Sequence, residues 1–269
     1  LRHTYNSETL DPSNIDYLDD VFPYPPFYFI GDNVMGGSSP NDFISPKQMG
    51  RIHRTLSLNF TRNFAYGYSS VPHEITSNET WDFTFKSYND IVVKNGAVLT
   101  LTCRLEMVPE AKIIVEPGAK LILDGGIITS ARCGGPEHEG YWQGIEVWGD
   151  RTQSQIPHTN GLSDYQGEIE IINGGTVENA INAISTIKYN SDGSKDWSKT
   201  GGIITLNDAI LKNNNFDVWI GGYHNFLPAN NKEIRNYSSI INSHFENNDN
   251  MLSGYNGYAF VGLWDVGTI

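Results

Sequence analysis

Cysteine is scarce: Cys103 and Cys133 are the only two in 269 residues. Neither belongs to a Cys-x-x-Cys pair and no histidine partners them at the usual spacing, which excludes a structural zinc site built on thiolates. One disulfide or two free thiols remain open, since the geometry of the intervening loop decides between them. Positive charge is also short. Eighteen Lys and Arg stand against 31 Asp and Glu, a formal charge of −13, so the field of the chain repels nucleic acid and anionic membrane surfaces. No apolar run approaches the length of a membrane span, so no membrane insertion is expected, and no signal peptide is visible at Leu1. From Ile91 onward, helical periodicity is missing as well.

What is present divides into two parts. Near the start, the strand-like run Phe27-Tyr28-Phe29-Ile30 leads into a Gly/Ser/Asn-rich turn that contains Asn33-Val34-Met35-Gly36. A helix follows over residues 45–56. Ser45 is its N-cap and Pro46 occupies the first helical position, while Met49, Ile52 and Leu56 share one face. Ahead of all this stands Leu1-Arg2-His3-Thr4-Tyr5.

The order of His3, a Met-containing turn and a Ser-Pro helix resembles the C-terminal subdomain of metzincin zinc peptidases, nearest to the pappalysin-like branch. The resemblance covers about the first 56 residues. It implies that His3 is the third zinc ligand, that Asn33 and Met35 form the Met-turn, and that Met35 lies beneath the metal. Yet H-E-x-x-H occurs nowhere in the sequence, and Glu137-His138-Glu139 lacks the second histidine four positions on. Catalytic zinc takes about three protein ligands and a water, so zinc and a peptide substrate are expected of a longer parent. No catalytic residue is assigned here, and the chain as it stands is expected to be inactive.

The larger part reads as strands and turns. Ile91-Val92-Val93-Lys94-Asn95-Gly96-Ala97 and Ile113-Ile114-Val115-Glu116-Pro117-Gly118-Ala119 share one pattern, and Ile171-Ile172-Asn173-Gly174-Gly175 parallels Ile122-Leu123-Asp124-Gly125-Gly126. Further copies centre on Asn207 and Asn242, giving steps of 34 (207 − 173) and 35 (242 − 207). A repeat of this length without helices predicts a parallel solenoid. In it Ile145 and Val147 point inward, Glu146 and Trp148 point outward, and Asn173, Asn207 and Asn242 stack as a ladder at one corner.

The strings at residues 113–121 and Trp142-Gln143-Gly144-Ile145-Glu146-Val147-Trp148-Gly149 resemble the right-handed parallel β-helix modules of bacterial surface proteins exported by the type IX route. That likeness implies a secreted or cell-surface location and a solenoid that continues past Ile269. The expected fold is therefore mainly β: a right-handed parallel β-helix over 91–269, a connector over 59–90, and a small α+β metzincin remnant over 1–58. The β-helix is expected to act as scaffold or binding module of a secreted zinc metallopeptidase. The alternative is a non-enzymatic adhesion or carbohydrate-binding protein with a polysaccharide or cell-surface ligand. Asp192, Asp196, Asp208 and Asp249 are the acids open to solenoid catalysis, each in a turn where Asp is common anyway.

Overall fold

The computed structural model describes residues 68–131, 140–157, 163–248, 251 and 257–267, all within the unit spanning Tyr66–Ile269. Strand-forming triplets separated by Gly and Asx turns wind into successive coils. The first contains β1 (Ser69–Ile75), β2 (Glu79–Trp81) and β3 (Phe85–Ser87); the second β4 (Asn89–Val93), β5 (Val98–Leu101) and β6 (Arg104–Met107). The third has β7 (Lys112–Val115), β8 (Lys120–Asp124) and β9 (Ile127–Ser130), and the fourth β10 (Trp142–Val147), β11 (Glu168–Ile172) and β12 (Thr176–Glu178). In the fifth, a hairpin of β14 (Lys188–Tyr189) and β15 (Lys195–Asp196) separates β13 (Ala180–Ser185) from β16 (Ile203–Asn207) and β17 (Ile210–Lys212). The sixth repeats that plan, with β19 (Phe226–Leu227) and β20 (Lys232–Glu233) between β18 (Phe216–Ile220) and β21 (Ser239–Ile241), then β22 (His244–Glu246). Strand β23 (Ala259–Leu263) opens another turn.

Each coil gives one strand to each of three sheets. The orders are β1-β4-β7-β10-β13-β18-β23, β2-β5-β8-β11-β16-β21 and β3-β6-β9-β12-β17-β22. Every pairing within them is parallel, as between β4 and β7, β5 and β8, or β6 and β9. The protein is thus mainly β with long parallel sheets, a solenoid-like arrangement. A complete coil precedes Ile91: β1, β2 and β3 occupy 69–87, so the coils begin inside the stretch read from sequence as a connector.

The register explains the core. Ile91, Ile113, Ile145, Ile184 and Val218 stand directly above one another, as do Leu99, Leu121, Ile169 and Ile204. Leu105, Ile128, Val177 and Leu211 form a third column. All of these are buried, and each such side chain contributes about 1.5–3 kcal/mol by leaving water. Because side chains alternate across a strand, keeping the columns inside fixes which residues face out.

Two corners carry left-handed Asx residues. The first follows β8, β11, β16 and β21 and is turned by Gly125, Asn173, Asp208 and Asn242, with φ of 66°, 54°, 60° and 50°. The second follows β12 and β17, where Asn179 and Asn213 have φ of 59° and 53°. Asn207 is the last residue of β16, opposite Ile172 and Ile241. The corner position between Asn173 and Asn242 therefore belongs to Asp208, a correction of one residue to the expected ladder.

Candidate functional site

The outer face of the seven-stranded sheet carries a groove. Lys112, Gly144 and Asn182 are aligned across β7, β10 and β13. At Gly144 φ is 108°, and an added Cβ would meet Asn182 O at 1.6 Å, so only glycine lets these strands pass. Its two aligned neighbours, Lys112 and Asn182, line a groove of about 620 Å³. Its walls include Tyr68, Asp90, Glu110, Lys112, Glu146 and Tyr189.

Glu146 points away from the core, as alternation with Ile145 and Val147 requires, yet is only 6% exposed because the β14–β15 hairpin comes to it. Its Oε1 accepts from Lys112 Nζ at 2.8 Å, while Oε2 accepts from Trp148 Nε1 at 2.7 Å and from the Tyr189 amide at 3.4 Å. Truncating one partner of so buried an ion pair strands the other charge and costs several kcal/mol. Asp90 Oδ1 accepts from the Lys112 amide at 3.0 Å. Burial pushes the Asp90 carboxyl above its ordinary value, against the Lys112 amide and ammonium and the Tyr68 hydroxyl, which favour the anion. Burial likewise raises Tyr189 and Tyr68, the latter helped by the charge of Asp90.

Aromatic rings continue the face beside the groove. Lys188 Nζ stands 4.9 Å from the Trp148 ring centre. Lys195 Nζ lies 5.1 Å from Trp219, 5.7 Å from Trp197 and 5.9 Å from Tyr189. Phe216 then packs edge-on to Trp219 at 5.4 Å and against Tyr258 at 5.1 Å. Flat apolar faces, hydrogen-bonding groups and fixed charges converge here, the combination found in small-molecule and saccharide sites.

The residues singled out from sequence are dispersed. His3, Asn33, Met35, Cys133 and Asp249 lie outside the described residues. Cys103 is a free thiol, 3.4 Å from Thr84 Oγ1. Asp192 holds the hairpin turn through Ser194, and Asp196 caps a short 3-10 turn through Ser198; these bonds lower both carboxyls. Asp208 turns the first corner. Among the described residues no three His, Cys, Asp or Glu side chains are placed to hold a metal ion, and no helix is long and apolar enough to cross a membrane. Sequence reasoning missed Asp90, Lys112 and Tyr189. The available signal was the 22-residue step (112 − 90) that matches Ile91 to Ile113 in adjacent coils. No protein-family model, no curated protein and no solved structure matches this chain.

Proposed function

We propose that the solenoid is a right-handed parallel β-helix acting as a carbohydrate-binding module, with a polysaccharide held along the outer face of its seven-stranded sheet. Right-handedness follows the general rule for crossovers between parallel strands. The observation that carries the reading is the groove lined by Asp90, Lys112, Glu146 and Tyr189 lying next to rings that share the β14–β15 hairpin. Sugar rings offer apolar faces to such aromatics and hydroxyls to such polar walls. Electrophoresis of the full chain through gels containing dissolved neutral, anionic or cationic polysaccharides tests this. Retardation by at least one polymer is expected, and is lost in Trp219→Ala. If no polymer slows the chain, the reading fails.

A second reading concerns residues 1–58. The order His3, Asn33-Val34-Met35, Ser45-Pro46 supports a metzincin-like zinc peptidase parent, secreted or at the cell surface, that the solenoid carries as a scaffold. Zinc there would need His3 together with ligands that these 269 residues do not supply. Zinc content and the N-terminal sequence of the native protein test it: H-E-x-x-H-x-x-G ahead of Leu1 with about one zinc supports the reading, and a zinc-free chain beginning at Leu1 removes it.

A further inference from the structure

We infer that the ligand of this face is a cationic polysaccharide, an amino-sugar polymer with free amines. The inference rests on the carbohydrate-binding reading and adds the charge of the ligand. Two separate features select positive charge. In the groove, among the described residues, the Asp90 and Glu146 carboxylates stand beside one ammonium, Lys112, and Glu146 engages that ammonium at 2.8 Å, which leaves the Asp90 carboxylate to a ligand. A uronate or sulfated polymer would bring further anions into this field and into that of a chain with net charge −13. An amine entering the same groove meets the Asp90 carboxylate, and a charge-assisted hydrogen bond is among the stronger contacts available to it.

The second feature is a cation supplied by the chain itself. Lys195 Nζ stands over Tyr189, Trp197 and Trp219 at 5.1–5.9 Å, and among the described residues no carboxylate is recorded in an ion pair with it. The negative faces of the rings hold it. The side chain is exposed on a hairpin, so it can swing aside and leave the same faces to a ligand ammonium. Tyr189 belongs to both groups, lining the groove and facing Lys195, so carboxylates and rings act on one ligand.

A basic peptide fits less well. Strands β7, β10 and β13 beneath the groove are each paired on both sides, which leaves no edge for an added strand. What remains are side-chain rows repeating at the strand spacing of ~4.8 Å, close to the length of one pyranose.

Isothermal titration of the full chain with four ligands decides the matter: a β-1,4-glucosamine hexamer, its fully N-acetylated form, a galacturonate hexamer and hexalysine. The glucosamine hexamer is expected to bind about tenfold more tightly than the N-acetylated one, with no detectable binding of galacturonate. Asp90→Asn keeps an acceptor for the Lys112 amide and is expected to weaken the glucosamine hexamer about tenfold. Lys195→Ala, which removes the competing ammonium, is expected to tighten it; a lysine that merely pinned the hairpin would give the reverse, and that reversal counts against the inference. Thermal melts of both variants confirm that they fold. Equal affinity for the two glucosamine forms overturns the charge assignment and leaves carbohydrate binding standing. Hexalysine binding as tightly as the glucosamine hexamer overturns it in favour of a basic peptide. If no ligand binds, the charge assignment falls, and retardation in the polysaccharide gels then decides the carbohydrate-binding reading separately.

Discussion

The two corners of the solenoid that carry left-handed Asx residues share one backbone conformation, yet they are built differently. At the first corner the only side-chain bond between left-handed positions and the neighbouring coil among the described residues runs from Asn173 Nδ2 to Asp124 Oδ1, 2.7 Å and exposed. At the second, Asn179 Nδ2 reaches Thr129 Oγ1 at 3.2 Å, and Asn213 and Asn248 exchange two bonds of 3.0 and 2.9 Å. Beside them Asn214, 1% exposed, accepts from the Ala180 amide at 2.9 Å and donates to Val177 O at 3.0 Å and Asp217 Oδ1 at 2.8 Å. The first corner therefore uses Asx for its backbone tolerance, whereas the second uses it to tie coil to coil. A buried bond shielded from water contributes more than an exposed one, and its loss leaves a buried group unpaired.

If that distinction holds, Asn214→Ala is the most damaging change at either corner. It leaves the Ala180 amide and Val177 carbonyl of the coil before without their partner, so a loss of about 3 kcal/mol is expected in urea denaturation; less than about 1 kcal/mol would remove the distinction. Its neighbour Asp217 sharpens the comparison from the opposite side. Asp217 is buried, its Oδ2 has no partner, and burial raises its carboxyl to about 7, with the Asn214 bond opposing. The folded value lies above the ordinary 3.8, so the folded state binds the proton more tightly. Stability from this group is greatest below about pH 4 and falls as pH rises toward 7. Asp217→Asn is expected to flatten that interval and to stabilise the chain above pH 7 by on the order of 2 kcal/mol. Melts of both proteins at pH 4 and pH 8 measure the difference, and an equal slope would show that Asp217 carries no such penalty. Asp90 and Glu168 are also raised by burial and give the wild type part of its slope, which is why the comparison needs the variant.

The coils themselves were legible in the sequence, since an interior column repeats the same apolar residue type whenever the chain completes a turn. The step of 22 between Ile91 and Ile113 is the bare coil. The step of 35 between Ile171 and Leu206 is a coil enlarged by the β14–β15 hairpin, and sequence alone could not say that the extra residues fold over one sheet and bury Glu146. In the coil over 69–87 the sequence showed one alternating strand, Trp81 to Phe85, rather than three, because much of the interior there is aromatic: Trp81 packs on Phe85 at 5.3 Å and on His73 at 5.4 Å, without the Ile/Val/Leu runs of later coils. The second corner was legible and overlooked. Asn179 and Asn213 are separated by 34 (213 − 179), the same step that drew attention to Asn173 and Asn207. Nothing in the spacing distinguishes an Asn that laces coils from one that closes a strand; that depends on which side of the backbone it falls.

The smallest expected effects follow from that last point. Asn213→Ala puts an alanine at φ 53° and deletes the pair with Asn248, so about 2 kcal/mol is expected. Asn173→Ala meets the same backbone cost at an exposed corner, about 1 kcal/mol. Asn173→Gly removes that cost and should fall within about 0.5 kcal/mol of wild type, because little but conformation is asked of the residue. Asn207 is exposed, and its φ is not among the positive values. Asn207→Ala is therefore expected to be neutral within about 0.5 kcal/mol, whereas Asp208→Ala, one residue on at φ 60°, should resemble Asn173→Ala. Denaturation of these two neighbours places the corner: a costly Asn207→Ala beside a neutral Asp208→Ala would restore the ladder as first spaced and shift the register of β16 by one residue, turning its inward and outward faces over.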